Sequence, residues 1–282
     1  MELFLYDRKI ILNYLILYSI IFVILTACGQ TRQLTVIDSG HTKANYGAIS
    51  CTDRKEVDYN DDLVQKISTE LIRKNRDFLL TRTKDTDIED ADELRQYLVD
   101  KPDDEKWQKY GQLYTRIALA NKKQAGLFVS IHHDSVIEHR LQRSKNGKII
   151  DVQDDFKQKF NPGYSIYIAS DPTYPNTELH YAKSLKFAEI FAKKMHAIDR
   201  KPSTYHEEKP GQDHYQSIDV TLGIYNSKTL LAVLRNAEMP AVLIEAGVIV
   251  DVDDEKVVSS QIFKDQLAKS IVETIVAFFD ER

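Results

Sequence analysis

Short apolar runs that alternate with segments of helical periodicity restrict the fold of this chain more than any other feature of its sequence. Runs short enough for buried strands lie at Leu34–His41, Phe78–Thr83, Leu127–Ile131, Tyr164–Ser170 and the start of Ala241–Val250. Segments with apolar residues at helical spacing lie at Asp58–Arg73, Trp107–Lys123, Glu178–His196 and Ile262–Phe279. This alternation predicts an α/β fold, a single-domain three-layer αβα sandwich whose mostly parallel, twisted sheet carries helices on both faces.

Composition and charge narrow the class of protein further. Of the 282 residues, 43% are hydrophobic and 29% are charged, which is typical of a globular chain and excludes a disordered or fibrous one. Because no internal repeat or low-complexity linker interrupts the sequence, we predict one domain over residues 33–282. The formal net charge of −5 argues against nucleic acid as a partner.

The N-terminal segment has the pattern of a membrane-targeting leader. Eighteen uncharged residues, Ile10–Ala27, follow two basic ones and end in Leu25-Thr26-Ala27-Cys28, the order of a bacterial lipoprotein processing site. We therefore predict a signal peptide at residues 1–27 and a lipidated tether at residues 28–32. An uncleaved anchor helix is the alternative, since about 18 residues are just enough to span a bilayer. Both interpretations place the rest of the chain outside the cytoplasmic membrane.

The residues around Cys28 bear on location and on redox chemistry. Gly29 stands where an aspartate is expected in lipoproteins kept at the inner membrane, so the sequence favours an outer-membrane, periplasm-facing position in a cell with two membranes. Cys51 is the other cysteine, and a lipid on Cys28 leaves no intrachain disulfide. The fold then depends on its hydrophobic core or on a metal. The location indicates cell-wall polymers, envelope proteins or imported solutes as substrates.

Three of the predicted strands end in polar groups: Asp38–His41, Ser130–Asp134 and Glu245. The carboxyl ends of strands in an open α/β sheet border the ligand crevice, so these groups are expected to converge there. An unpaired carboxylate inside the apolar run around Glu245 is costly, and it requires either an arginine partner or a metal and water nearby. Histidine and carboxylate together suit Zn²⁺, although a strand-end histidine is also commonly a packed residue.

The adjacent histidines His132 and His133 cannot both face one crevice. Alternation along a strand places His132 with Phe128 and Ser130, and His133 with the residues between them. Because both faces of a parallel sheet are usually covered, parity alone does not choose between the two histidines.

Four ordered motifs together resemble the zinc-dependent N-acetylmuramoyl-L-alanine amidases, in their type-3 catalytic domain. They are TVIDSGH (Thr35–His41) followed by Glu56, LLTRTKDTD (Leu79–Asp87), RIALANKKQAGLFVSIHHDS (Arg116–Ser135) and LLAVLRNAEMPAVLIEAG (Leu230–Gly247). The resemblance implies zinc ligands at His41, Glu56 and His132. It also implies that the family's catalytic glutamate falls on Glu245, with the amide between N-acetylmuramic acid and L-alanine of the stem peptide as the bond that is cut.

The chain departs from the family pattern beside these residues. Thr42-Lys43 replaces the usual glycines, and His133 replaces a small residue. After the glutamate, Gly247-Val248 and Val250-Asp251 replace the family's Gly-Phe and asparagine. All four active residues are retained, so the departures concern substrate detail rather than reaction class.

Two other functions remain open from the sequence. One is a zinc carboxypeptidase or endopeptidase that acts within the stem peptide with the same metal chemistry, and the other is a lipid-anchored protein that holds peptidoglycan without cutting it. The retained Glu245 argues against such a binding protein. Peptidoglycan and the membrane, through the lipid on Cys28, are the partners expected in each case. An enzyme that damages its own cell wall also favours gating by a loop or by an activator protein.

Overall fold

The computed structural model describes residues 33–82, 92–98, 104–205, 215–227 and 231–280. The predicted signal peptide, Cys28 and the tether lie outside these residues, so they stay predictions. Within the described ranges, no helix is both long enough and apolar enough to cross a membrane. Residues 33–282 form one compact unit.

Nine strands are found in the described residues. They are β1 Thr35–Ser39, β2 Phe78–Leu80, β3 Leu127–Asp134, β4 Leu141–Arg143, β5 Ile149–Val152, β6 Ser165–Ile168, β7 Tyr215–Asp219, β8 Ile224–Ser227 and β9 Ala241–Val248. Seven of them form one sheet in the order β2-β1-β3-β9-β6-β8-β7. Strands β2, β1, β3 and β9 are parallel, β6 and β8 run the opposite way, and β7 pairs antiparallel with β8. The mostly parallel sheet predicted from the sequence is confirmed.

Strands β7 and β8 have no counterpart among the predicted strands. They form the far edge of the sheet, and the side chains of β7 are largely exposed or half-buried. An edge strand of this kind has no continuous apolar run to mark it, so hydrophobicity alone does not reveal it.

The described helices are α1 Glu56–Arg73, α2 Asp92–Arg95, α3 Asp104–Lys122, α4 Asp154–Lys157, α5 Pro175–Ala197, α6 Ala232–Arg235, α7 Val252–Ser259 and α8 Gln261–Asp280. The four predicted helices correspond to α1, α3, α5 and α8, and each begins one to three residues earlier than its apolar periodicity does. The first turn of a helix is commonly polar or begins with proline, as at Pro175, so the hydrophobic pattern starts late.

Helices cover both faces of the sheet. One face packs against α1, α5 and α8 through Ile37, Val129, Ile131, Val242 and Ile244. The other face packs against α3 and α6 through Val36, Phe128 and Leu243. Because neighbouring residues of one strand join different clusters, the period of two in the sheet accounts for the three-layer sandwich.

The polar segment Ser135–Asn161, whose mixed charges favour a surface insertion, contains the antiparallel hairpin β4–β5, followed by the short helix α4. Gly147 turns the hairpin with a φ of 85°, which favours glycine. A third apolar cluster packs the insertion against the end of β9 and the residues after it: Cys51, Ile149, Val152, Phe156, Tyr205, Val248 and Val250. The insertion is therefore part of the packed domain.

Candidate active site

The polar ends of β1, β3 and β9 meet at one edge of the sheet. The parallel register pairs Ser39 with Ile131, and it pairs His132 directly with Glu245. Residues that are paired across parallel strands project from the same face, so His132 and Glu245 face the same side. The convergence expected at the carboxyl ends of the strands is thus present.

His41, Glu56 and His132 form a tight cluster whose ligand atoms all lie within 4.8 Å of one another. His41 Nε2 lies 3.1 Å from Glu56 Oε2, and His132 Nδ1 lies 3.1 Å from Glu56 Oε1. The two imidazole rings meet edge to face, with their centroids 4.8 Å apart. Residues separated by 91 positions in the sequence therefore present two imidazoles around one carboxylate.

Glu56 is the first residue of α1, and both of its oxygens accept backbone hydrogen bonds as well. The Ala48 N–H donates to Oε2 at 3.0 Å, and the His133 N–H donates to Oε1 at 3.2 Å. Burial alone would raise the pKa of Glu56, but the hydrogen bonds with His132 and His41 outweigh it and hold the pKa well below its ordinary value. Glu56 is therefore an ionised carboxylate with a fixed orientation.

Two glycines make room for this cluster. A Cβ atom on Gly40 would overlap the His132 imidazole, and a Cβ atom on Gly47 would overlap Glu56 Oε2 and the His41 ring. Gly47 has a φ of 75°, and His41 itself is held in the left-handed region at 64°. The backbone at these positions is shaped around the three side chains.

A buried ion pair supports the β1 end of the site. Asp38 Oδ1 lies 2.7 Å from Arg116 Nη1, and the carboxylate also accepts hydrogen bonds of 2.6 Å from Ser130 and Thr81. Burial would raise the pKa of Asp38, but Arg116 and these hydroxyls lower it overall. Asp38 lies in one of the candidate strand ends, and the structure places it in this ion pair rather than among the clustered ligand atoms.

Arg82 and Arg116 together fix the turn after β1. Arg82 Nε donates to the His41 carbonyl at 2.6 Å, Arg82 Nη2 donates to the Gly40 carbonyl at 2.9 Å, and Arg116 Nη2 also donates to the His41 carbonyl. Sequence reasoning did not assign these arginines a role. The sequence does show Arg82 shortly after the apolar run of β2 and Arg116 next to Ile117 in α3. An analysis based on hydrophobic periodicity assigns no role to such charged residues.

His133 points to the other side of β3. Its Nδ1 lies 2.8 Å from Asn60 Oδ1, its ring packs 5.4 Å from that of Tyr59, and burial lowers its pKa to about 3. Asn60 also donates from Nδ2 to the Gly40 carbonyl at 3.1 Å. His133 is therefore a neutral, buried residue of β3 that packs against α1. It is not one of the three clustered residues.

Glu245 lies opposite His132 and is partly buried. Its Oε2 atom is buried, and the described residues offer it no hydrogen-bond partner. Burial, together with the negative charges of Asp134 and Glu56, raises the pKa of Glu245 well above its ordinary value. The sequence left open an arginine partner for Glu245, and its Oε2 atom has none among the described residues, whereas Asp38 on the neighbouring side of β3 is paired with Arg116.

Comparisons with known proteins agree with this arrangement. AmiC, an N-acetylmuramoyl-L-alanine amidase of Escherichia coli O6:H1, is 22% identical over an alignment of 267 residues that covers 89% of this chain and 54% of AmiC. The chain thus spans about half the length of that curated relative.

Two solved structures show the same fold. Ami1, an N-acetylmuramyl-L-alanine amidase from Mycobacterium smegmatis, matches with a TM-score of 0.59 at 18% identity, covering 88% of this chain and 97% of Ami1. The CwlD amidase from Clostridioides difficile, solved in complex with the GerS lipoprotein, matches with a TM-score of 0.55 at 17% identity, covering 89% of this chain and 100% of CwlD.

The family assignment follows from a match to most of the chain. The model of the N-acetylmuramoyl-L-alanine amidase family matches residues 35–277, which include His41, Glu56, His132 and Glu245. The chain therefore belongs to the N-acetylmuramoyl-L-alanine amidase family.

Proposed function

We propose that this protein is a zinc-dependent peptidoglycan amidase that hydrolyses the amide between N-acetylmuramic acid and L-alanine of the stem peptide. The observation that carries the proposal is the cluster of His41, Glu56 and His132 beside Glu245, within a domain of the amidase family. Two imidazoles and a carboxylate at one strand edge are more than a binding protein requires.

The three clustered residues fit a zinc ion in their chemistry and spacing. Zn²⁺ binds imidazole nitrogen and carboxylate oxygen at about 2.0–2.2 Å, and its catalytic sites have three protein ligands with one open position. The ligand atoms of His41, Glu56 and His132 lie within 4.8 Å of one another, and these three side chains would hold the ion. When bound, zinc lowers the pKa of water and polarises the scissile carbonyl.

Glu245 is placed to move the proton that amide hydrolysis requires. As a carboxylate, Glu245 would take a proton from the attacking water while the water oxygen bonds to the amide carbon. The same carboxyl group would then give the proton to the leaving nitrogen as the C–N bond breaks. A raised pKa suits both steps, because the group must accept and then release the same proton near neutral pH.

The anchor and partners belong to the same proposal. The leader pattern supports a lipid on Cys28, with residues 1–27 removed, residues 28–32 as the tether and residues 33–282 as the catalytic domain. The absence of an aspartate after Cys28 supports an outer-membrane position that faces the periplasm. A protein activator is supported by CwlD, which was solved with a lipoprotein partner.

A gel that contains purified cell wall tests the function directly. We expect the full chain to give a clearing band that a chelator removes and that added zinc restores. Mass analysis of the released fragments should show intact stem peptides and peptide-free glycan. Shortened stem peptides would instead identify a carboxypeptidase or endopeptidase, and the lack of any clearing band would leave only a binding protein.

A further inference from the structure

A pocket that plays no part in the proposed chemistry lies between the loop after His41 and the β4–β5 hairpin. Its volume is about 290 Å³, and it is open at one side. Ile49, Val136, Leu141 and Ile149 give it aliphatic walls. We name it the hairpin pocket.

The hairpin pocket borders the candidate active site. Ala48, one of its lining residues, donates its N–H to Glu56 Oε2 at 3.0 Å. Ser135, another lining residue, follows His132 by three positions, which correspond to about 10 Å of strand. An extended peptide covers this distance with about three residues. When the amide that is cut lies at the cluster, the part of the peptide that reaches the pocket is therefore about three residues away from that amide.

The hairpin that forms one wall is held firmly in place. Ile149, Val152 and Phe156 pack with Val248 and Val250 in a single apolar cluster. The pocket is thus largely preformed, as small ligand sites commonly are.

Two ion pairs lie among the pocket residues. Lys148 Nζ lies 2.7 Å from Asp53 Oδ2, and Arg143 Nε lies 2.7 Å from Glu138 Oε1, with all four side chains exposed to solvent in part. Exposed pairs of this kind contribute little to stability. An ammonium group has three donors, so Lys148 can hold a second carboxylate while it keeps Asp53.

The lining favours a peptide over a sugar. Its walls are aliphatic and suit the methyl group of alanine, and the described lining residues include no aromatic ring on which a sugar could stack. Lys148 and Arg143 pair with Asp53 and Glu138, which also line the pocket, and the donors that these two cations retain can bind the carboxylates of a peptide, which an uncharged sugar lacks.

We propose that the hairpin pocket binds the peptide part of the substrate and that Lys148 holds a carboxylate about three residues from the scissile amide. This inference rests on the proposed amidase function, since it names the part of the substrate that the chain's own insertion recognises. Lys148 is accordingly a specificity-determining residue that lies outside the zinc cluster.

Binding measurements with two matched peptides test the pocket. The probes are the tripeptide L-alanyl-γ-D-glutamyl-L-alanine with a free C-terminal carboxylate and the same peptide with a C-terminal amide, titrated calorimetrically into the full chain. We expect the unmodified chain to prefer the carboxylate about tenfold, the usual scale of a hydrogen bond to a charged group. Lys148→Gln should bind both peptides equally. Lys145→Gln, at an exposed lysine of the same turn that does not line the pocket, should keep the full preference.

The outcomes separate this inference from the proposed function. Retention of the preference in Lys148→Gln, or its equal loss in Lys145→Gln, would overturn the pocket assignment even if the chain clears cell wall. Binding that depends on Lys148 in a chain that clears no cell wall would support the pocket and overturn the amidase. Thermal unfolding of both variants at the same temperature as the unmodified chain shows that neither change acts through folding.

Discussion

Asp38 on β1 and Glu245 on β9 lie on either side of β3 at the same edge of the sheet, and their surroundings differ in nearly every respect. Asp38 is fully buried, pairs with Arg116 and accepts two hydroxyl hydrogen bonds, so its pKa is lowered. Glu245 has a buried oxygen with no partner among the described residues, and its pKa is raised.

The difference separates a structural carboxylate from the one that we propose to react. A carboxylate that is paired with an arginine and accepts hydroxyl hydrogen bonds contributes to stability and is held in its ionised form. A buried oxygen without a partner costs stability, and it persists where another requirement outweighs that cost. Asp38 therefore holds the frame of the site, whereas Glu245 is the group that we propose for the proton transfer.

The largest effect is expected from Glu245→Gln. The amide has nearly the same shape but cannot accept and return a proton, so hydrolysis of cell wall should fall by about 10²–10⁴-fold. Release of peptide from purified cell wall measures the rate. The zinc content should stay near one ion per chain, and a variant that keeps substantial activity would refute the assigned role.

Although Glu245→Gln should lower activity, it should raise the stability of the folded protein. Because the folded state raises the pKa of Glu245, its ionised form opposes folding at pH values above the unfolded pKa. Glu245→Gln should therefore increase the free energy of unfolding of the zinc-free protein at neutral pH, as measured by urea denaturation. A decrease would indicate that the carboxylate has a stabilising partner.

Asp38→Asn should destabilise the protein by about 3–5 kcal/mol, because it leaves the Arg116 guanidinium buried without its counter-charge. The lowered pKa of Asp38 fixes the sign of the pH dependence. Its stabilisation is complete above the unfolded pKa of about 3.9 and is lost as the pH falls through the lower folded value. Denaturation curves between neutral and acid pH should therefore converge for the two proteins, and parallel curves would contradict the ion pair.

The two neighbouring histidines of β3 offer a matched pair for the metal site. His132→Ala should lose zinc and activity because it removes one of the three proposed ligands. His133→Ala should keep zinc, since its ring contacts Asn60 and Tyr59, although it should lower stability. Metal analysis of both purified variants measures the outcome, and the reverse pattern would exchange their roles.

The smallest effect is expected from Gly47→Ala, compared with Gly147→Ala. Both glycines have positive φ, at 75° and 85°, so alanine strains the backbone similarly at each. An added Cβ overlaps Glu56 and His41 at Gly47 but meets nothing within 4 Å at Gly147. Zinc affinity should fall by about 10–100-fold in the first variant alone, the range seen when groups that orient metal ligands are changed. Equal affinities would show that the cluster can shift without cost.

The sequence predicted the α/β class, the four long helices and five strands of the sheet, because each has a hydrophobic period or run of its own. It did not reveal the edge strand β7, which has no continuous apolar run, or the strand β8, which is buried but has only four residues, two of them the polar Asn226 and Ser227. The zinc ligands and Glu245 were named through ordered motifs that resemble a family, and the roles of the three ligands and of Glu245 stay predictions for the experiments above.

What the sequence by itself determined is which residues are available at the strand ends, since a polar group after an apolar run is visible in the chain alone. Which partner each of these groups finds was decided only by the tertiary structure. Asp38 and Arg116 are 78 positions apart, and the register of β3 with β9 places His132 opposite Glu245. The partners of a buried carboxylate depend on distant segments brought together by folding, and those partners decide whether it stabilises the protein or reacts.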